Sequence, residues 1–447
     1  MYHNYVQPDA TSLEHMKGVP LKTFSPYVRV FNYDDDHKMV FDTVDKSIVK
    51  IDSSWIHDDR VIDEIIAGND SIETLAGLGF FRTEQEGERL AETEIHDRGR
   101  LSISLELTLG CNLRCPYCYQ GEDKHATKIT QGTLDSLQKY VAQKVATGEL
   151  REVVIKVLGG EPSLLWNHVD PTLRQVADIC KDNVRFTLMI DTNAVIIEPF
   201  ANLDYADRYL FTVPLSHRNC HDKMRFDSKG NGTYERVVDG AASLMTIPNA
   251  TVILRHNTDA ENAALFPAYL DDIRGRFPSL PLIDISYTAS FDNTDFKNSL
   301  AYRDYLKWRI EIAIPELLKH GYPVLAAPVM NRNPCQRMGF GSMKIFSDDT
   351  AGYCALDFFS EERRPFVGMD FDAFEAERET LPDECAACPS FFICGGSYKL
   401  PCIKALGYEA CEEDGAFNVD LEQFLRIYLD SGKPQLFPVF NQSLIVR

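Results

Sequence analysis

Cys111, Cys115 and Cys118 stand in the run Cys-Asn-Leu-Arg-Cys-Pro-Tyr-Cys-Tyr, a Cys-x-x-x-Cys-x-x-Cys spacing. Thiolates this close together are soft ligands for iron or zinc. A cubane [4Fe–4S] cluster normally takes four thiolates, so three of them leave one iron open to a ligand from outside the protein. The competing chemistry is a zinc knuckle or a buried thiol cluster. Structural zinc needs four ligands, and no fourth Cys or His lies close by except His125. A second set, Cys335, Cys354, Cys385, Cys388, Cys394, Cys402 and Cys411, crowds the C-terminal quarter.

The elements that must position the first set alternate between strand and helix. Strand-like runs fall at about 102–109, 153–158, 185–191, 209–215, 250–256 and 282–288. Between them, Leu134, Leu137, Val141 and Val145 share one face of a helix near 131–147, and further helices are expected over 172–181, 233–246, 264–277 and 301–319. Six such units with β-branched strands predict an α/β fold with a parallel sheet, a partial (β/α)6 TIM-like barrel. Chemistry gathers at the carboxyl ends of barrel strands. The cysteine triple follows the first strand, Gly159-Gly160-Glu161-Pro162 the second, Thr192-Asn193 the third, Ser216-His217 the fourth and His256-Asn257 the fifth. Five consecutive strands thus deliver polar or glycine-rich residues to one rim.

With Asn112-Leu113 inside the triple and Tyr117 before its third cysteine, the chain resembles the radical SAM superfamily. The resemblance implies a [4Fe–4S] cluster on Cys111, Cys115 and Cys118. Its open iron would be held by the amine and carboxylate of S-adenosylmethionine (SAM), and an electron into the sulfonium would release a 5′-deoxyadenosyl radical. Gly159, Gly160, Glu161 and Pro162 resemble the SAM amine clamp, with Glu161 offering a carboxylate to the ammonium. The alternative for this run is a tight turn with an exposed Glu. By the same resemblance Tyr117 lies against the adenine, and Asn193, Ser216 and Asn257 contact SAM. Thr192-Asn193-Ala194 resembles the family's Thr-Asn-Gly, with Ala in the last place. The segment Leu215–Thr233 resembles the stretch Leu-Asp-Gly…His-Asp…Arg…Gly-x-Gly-Thr, with Ser216-His217 in place of Asp-Gly and a loop one residue shorter. Arg225 is its candidate for the SAM carboxylate; the alternative is a surface ion pair with Asp222 or Asp227.

The second cysteine set resembles the SPASM domain of peptide and protein maturases. Cys385-Ala-Ala-Cys388-Pro, Cys394-Gly-Gly and the hairpin Ile345-Phe346-Ser347-Asp348 leading to Cys354 carry that resemblance. It implies an outer auxiliary cluster on Cys385, Cys388, Cys394 and Cys411. It implies an inner one on Cys335, Cys354 and Cys402, for three [4Fe–4S] clusters in all. Tyr398 stands where a cysteine is usual, and Asp349 replaces the usual Gly five residues before Cys354. A zinc domain is the alternative. Cys180 reads as a core residue of its helix.

The remaining organisation follows composition. Residues 1–95 read as a small α+β, winged-helix-like module or a cap on the barrel, with three strands, then helices over Asp58–Ala67 and Ser71–Gly79. Glu84–Arg100 reads as a charged linker. The barrel takes 96–320, the SPASM domain 321–415, and 416–447 hold a helix near Leu421–Leu429 packed on the SPASM unit, then a tail. The formal charge of 46 − 67 = −21 disfavours nucleic-acid and anionic-membrane surfaces and fits a neutral or basic substrate, or solubility alone. No apolar run reaches spanning length and the start lacks a secretory h-region. Twelve cysteines without an export signal indicate metal ligands in a reducing, cytoplasmic setting.

The function expected is oxidative modification of a ribosomally made peptide (leader plus core), ending in an intramolecular C–C, C–O or C–S cross-link. Flavodoxin or ferredoxin would supply electrons. The alternative is an anaerobic sulfatase-maturing enzyme that makes formylglycine. Such relatives carry an Asp directly after the hairpin cysteine, whereas Ala355 stands here and the nearest acid is Asp357. A non-catalytic iron–sulfur carrier is a third possibility, against which the SAM clamp speaks.

Overall fold

The computed structural model describes residues 21–44, 48–57, 60–62, 79–95, 98–120, 127–288, 296–322, 341–354, 357, 363–378, 422, 425–427 and 430. The first six strands are short: β1 (Leu21–Thr23), β2 (Val28–Asn32), β3 (His37–Asp42), β4 (Ile48–Asp52), β5 (Ile56–His57) and β6 (Arg60–Ile62). They form two antiparallel three-stranded sheets, ordered β2-β3-β4 and β1-β6-β5. The three strands expected here are present, but Arg60–Ile62 is strand where a helix over Asp58–Ala67 was predicted. Val61 explains the difference: it is buried with Phe24, Val40, Ile51, Trp55 and Phe80 in a separate small core. Tertiary pairing with Leu21–Thr23 then outweighs local helical periodicity. Residues 71–78 of the second expected helix lie outside the described residues.

The predicted linker is also structured. Helix α1 (Glu84–Ile95) occupies it. Thr83 and Glu86 form a reciprocal capping box: the Thr83 N–H donates to Glu86 Oε2 at 2.8 Å, and the Glu86 N–H to Thr83 Oγ1 at 3.3 Å.

Six parallel strands follow: β7 (Arg100–Glu106), β8 (Glu152–Leu158), β9 (Arg185–Asp191), β10 (Arg208–Pro214), β11 (Ala250–Thr258) and β12 (Leu282–Tyr287). They lie side by side in chain order, as a partial barrel requires. Helices α2 (Gln131–Ala146), α3 (Trp166–Cys180), α4 (Arg218–Met224), α5 (Tyr234–Leu244) and α6 (Phe266–Ile273) fall between them. Helix α3 begins at Trp166 rather than 172 and runs through Pro171. After β12, α7 (Tyr302–Trp308) passes through a π turn at Arg309–Ala313 into α8 (Ile314–Lys319).

Strand side chains alternate between the two faces of the sheet. One face packs on the helices: Ile155, Val157, Leu188, Ile190, Phe211 and Leu254 join Leu134, Leu137, Leu173, Val176, Val238 and Cys180 in the main core. On the other face Val154, Met189, Leu210 and Ile253, with Leu282 against them, form an apolar plug. Two residues further along each of those strands come Lys156, Asp191, Thr212, Arg255 and Asp284. Period-two alternation puts them on the same inner face, so a charged layer lies above the plug on the way to the carboxyl-end rim.

The sheet does not stop at residue 320. Strand β13 (Ser342–Ile345) pairs in parallel with β7, and β14 (Thr350–Gly352) and β15 (Arg364–Pro365) extend it. The hairpin expected before Cys354 is therefore continuous with the barrel. Asp349 at its turn has φ 63°, a left-handed conformation that suits the Gly usual there. Its Oδ1 accepts from Thr130 N and Oγ1, both at 3.0 Å, and from Thr133 Oγ1 at 2.7 Å, which docks the turn on the start of α2. Helix α9 (Phe371–Ala376) follows. The described part of the C-terminal helix buries Leu425 in the main core, and Arg426 donates to the carbonyls of Asn32 and Tyr33. It thus reaches the N-terminal sheet; residues 379–415 of the SPASM unit, on which it was expected to pack, lie outside the described residues. No described helix is long and apolar enough to cross a membrane.

Candidate functional site

The cysteine loop leaves β7 and crosses the carboxyl rim, where three neighbouring segments hold it. Gly160 N donates to Thr108 O at 2.6 Å and Glu161 N to Gly110 O at 2.9 Å. A Cβ on Gly160 would lie 2.1 Å from Gly110 O, so the second glycine is required by this close backbone approach. Asn193 Nδ2 donates to Asn112 Oδ1 at 2.7 Å and lies 3.9 Å from Cys111 Sγ. Arg114 N donates to Phe226 O at 2.8 Å, and Leu113 bridges Asp227.

Cys111, Cys115 and Cys118 are half-buried and in no disulfide, and all three line one cavity of about 320 Å³. Tyr117, Gly159, Gly160, Asn193, Arg225 and Asn257 line it too. Sequence reasoning passed over eight of the lining residues, among them Tyr119, Gln120, Asp191, Arg255 and Thr288.

Glu161 is placed differently from the expectation. Its carboxylate is fully buried and turned into the protein. Oε1 accepts from Ser163 N at 3.0 Å and Thr192 Oγ1 at 2.7 Å, and Oε2 from Asn193 N at 2.8 Å. Burial raises its pKa against these hydrogen bonds. Glu161 therefore joins the loops after β8 and β9 and does not face the cavity, nor does it stand exposed on a turn. Pro162 starts the short 3-10 turn behind it, and neither residue is among those lining the cavity. Ser216 is buried away from the lining; Thr212 and Pro214 represent β10 there.

Arg225 does face the cavity, and its surface-pair alternative does not hold. Asp222 accepts from Thr233 N at 2.7 Å and Tyr234 N at 2.8 Å, capping α5, while Asp227 pairs with Arg236 at 3.0 Å. Thr233 Oγ1 donates to Arg225 O at 2.7 Å and lies 3.2 Å from His221 Nε2. The His-Asp…Arg…Gly-x-Gly-Thr segment is thus a frame that fixes Arg225. Arg225 is 8% exposed; its guanidinium donates to the Tyr117 hydroxyl and leaves its buried Nε without a partner. Burial alone would lower its pKa; Tyr117 and the thiols of Cys115 and Cys111 outweigh that and raise it, so it stays a cation. The Tyr117 ring places its hydroxyl between Arg225 and Asn257 Nδ2, the latter at 3.4 Å.

The donor set fits a multi-iron cluster better than a single ion. Among the described residues no three His, Cys, Asp or Glu groups stand where they would hold one metal ion. Each thiolate of a cubane binds a different iron, so the sulfurs need only border one space, as these do. A cationic Arg225 on the same wall, its Nε unpartnered, suits a carboxylate.

Residues 105–264 match the model of the Radical SAM superfamily. The chain carries a radical SAM domain. The radical SAM cyclopropyl synthase TigE of Paramaledivibacter caminithermalis is 23% identical over 272 residues, 53% of this chain and 55% of that protein. The chain thus spans about half the length of that curated relative. A probable GTP 3′,8-cyclase of Methanococcus aeolicus is 29% identical over 110 residues, 24% of this chain and 34% of its own. Among solved structures, native anSMEcpe with bound AdoMet and the Kp18Cys peptide superposes with a TM-score of 0.55 at 17% identity, covering 74% of this chain and 99% of that one. That likeness is one of fold. The radical SAM domain implies SAM and a [4Fe–4S] cluster as cofactors, and its match ends at residue 264, before the last barrel strand.

Cys354 is buried beside Asp357, whose Oδ2 accepts from Tyr353 N at 2.6 Å and Cys354 N at 3.1 Å. Cys335, Cys385, Cys388, Cys394, Cys402 and Cys411 lie outside the described residues.

Proposed function

We propose that this protein is a radical SAM enzyme that oxidatively modifies a ribosomally made peptide, forming a cross-link between side chains. The observation that carries the reading is the shared cavity: three half-buried thiols, the Gly159-Gly160 turn, Asn193 and a fixed, cationic Arg225 border one space. Cys111, Cys115 and Cys118 would hold the cluster, and Arg225 the SAM carboxylate. When bound, SAM and the cluster supply a radical able to take hydrogen from an unactivated C–H bond. The protein's part is to hold the cysteine loop in register, through Asn193 and Gly160, and to keep the cationic side chain in place.

TigE's name records a carbon–carbon ring closure, which supports carbon-centred chemistry in this chain as well. Oxidation of a peptide releases a second electron. The auxiliary clusters on Cys385, Cys388, Cys394 and Cys411 and on Cys335, Cys354 and Cys402 would accept it, and flavodoxin or ferredoxin in a reducing cytoplasm would supply the first. A leader segment bound by the N-terminal sheets belongs to the same proposal. Formylglycine formation is the weaker reading. Asp357, the nearest acid to Cys354, is 4% exposed and its oxygens serve the turn around that cysteine.

Anaerobic reconstitution followed by reduction with SAM tests the reading. Formation of 5′-deoxyadenosine supports it, and its absence from fully iron-loaded protein would overturn it. A precursor peptide encoded beside the gene would favour the cross-linking role, and a sulfatase there the weaker one.

A further inference from the structure

The charged layer beneath the cavity has no part in the cofactor frame. Lys156 Nζ lies 2.9 Å from Asp191 Oδ2, Arg255 Nε donates to Asp284 Oδ2 at 2.8 Å, and Arg255 Nη1 lies 3.9 Å from Asp191 Oδ2. Ser286 Oγ also donates to Asp284, at 2.9 Å. Two cations and two carboxylates alternate across four strands, so the layer is neutral as a whole. These four side chains keep 18–30% of their surface exposed, so they are only partly desolvated, but well-packed apolar residues would still serve stability as well. The plug one layer below shows that this barrel can be filled with apolar side chains.

Three members of the layer, Asp191, Thr212 and Arg255, line the cavity, and two of them carry charge. Arg255 uses only Nε in hydrogen bonding, and its terminal N–H groups bond no side chain or carbonyl among the described residues. Asp191 Oδ1 is buried with no hydrogen-bond partner there. Thr288, 6% exposed and on the same wall, likewise leaves its hydroxyl unpartnered. The cavity floor therefore presents a donor and an acceptor side by side, with a spare hydroxyl, on a surface without net charge.

We propose that Asp191 and Arg255 read one amide group of the peptide substrate, Arg255 donating to its C=O and Asp191 accepting from its N–H, with Thr288 completing the wall. The occupant is a neutral primary carboxamide, such as an Asn or Gln side chain, whose C=O and one N–H lie along the same edge; a trans backbone amide points its C=O and N–H to opposite sides. An added ammonium would meet Lys156 and Arg255, and an added carboxylate would meet Asp191 and Asp284. Asp191 is kept ionised for this role: burial would raise its pKa, and Lys156 and Arg255 bring it below the usual carboxylate value. Asp191 and Arg255 are positioning residues; they fix which C–H bond lies near the cluster side of the cavity. This inference rests on the radical SAM reading and deepens it.

The test supplies reduced, cluster-loaded protein with SAM and a pool of perdeuterated hexapeptides, randomised in sequence, N-acetylated and C-amidated. Mass spectrometry reads the fraction of 5′-deoxyadenosine that carries deuterium. That fraction reports hydrogen transfer from peptide independently of how much SAM is cleaved. A hydrogen bond to a charged group is worth about 1.5–3 kcal/mol, so Asp191→Leu and Arg255→Leu should each lower the fraction by about tenfold or more. Asp191→Asn, which keeps an acceptor oxygen, should recover part of it. The proposal is overturned if either Leu variant keeps the wild-type fraction, if the wild type cleaves SAM but takes no deuterium from the pool, or if 5′-deoxyadenosine itself vanishes in both Leu variants while their melting temperatures hold. A wild type that makes no 5′-deoxyadenosine at all fails the radical SAM reading instead.

Discussion

Asn193 donates through Nδ2 to Asn112 Oδ1 at 2.7 Å, tying the loop after β9 to the cysteine loop after β7. The same nitrogen lies 3.9 Å from Cys111 Sγ, while Asn193 Oδ1 accepts from Val195 N at 3.0 Å. One side chain thus fixes both the loop that bears the thiols and its own turn.

Asn193→Ala removes this tie and leaves every cysteine in place. Iron should still load to the wild-type level, but the cluster should lose iron to a chelator several-fold faster. Equal loss rates in wild type and variant would show that the loop does not depend on Asn193.

Arg225 is buried on the cavity wall with its Nε unpartnered. A charge-assisted contact is worth about 1.5–3 kcal/mol, so Arg225→Leu should weaken SAM binding by about tenfold or more. Equilibrium dialysis of the loaded protein measures this. Undiminished affinity would remove Arg225 from the SAM site.

Asp349→Gly poses backbone preference against side-chain bonding. Glycine suits φ 63° better than Asp does, but the change deletes three hydrogen bonds to Thr130 and Thr133. The bonds should prevail, with a loss of about 1–2 kcal/mol and a lower melting temperature. A rise in melting temperature would mean the turn is held by φ alone.

His256 is fully buried against Phe266, Tyr269 and Trp308, and burial pushes its pKa down to about 3. A folded pKa below the unfolded value of about 6.5 means the unfolded chain takes up the extra proton. Stability is therefore complete above pH 6.5 and falls as pH drops towards 3. Between pH 7 and 5 this single group should cost about 2 kcal/mol. His256→Phe should flatten the melting-temperature profile over that range, and a profile as steep as the wild type's would contradict the assignment.

The barrel was legible because its strands are long and β-branched and its helices amphipathic; from Gln131–Ala146 to Tyr234–Leu244 the helix limits shift by a few residues at most, apart from the early start of α3. The rim was legible for the same reason: whatever follows a parallel strand reaches it. Side-chain direction was not. Glu161 sits in the expected loop, yet three inward hydrogen bonds turn it away from the cavity. Arg60–Ile62 was misread because a three-residue strand owes its form to a partner some forty residues away. Asp191 and Arg255 were missed because each reads as an ordinary strand residue until period-two alternation is followed across neighbouring strands.

Total iron bears on the C-terminal quarter. Three clusters on Cys111, Cys115, Cys118 and the seven later cysteines predict about 12 iron atoms per chain after reconstitution. Full activity with about 4 iron, or with zinc, would remove the auxiliary clusters from the account.

The most direct measurement is 5′-deoxyadenosine formation by the reconstituted wild type beside a variant with Cys111, Cys115 and Cys118 all replaced by Ala. The account predicts steady formation by the wild type and none by the variant, which should still carry iron at its C-terminal cysteines. Appreciable 5′-deoxyadenosine from the triple variant would contradict it.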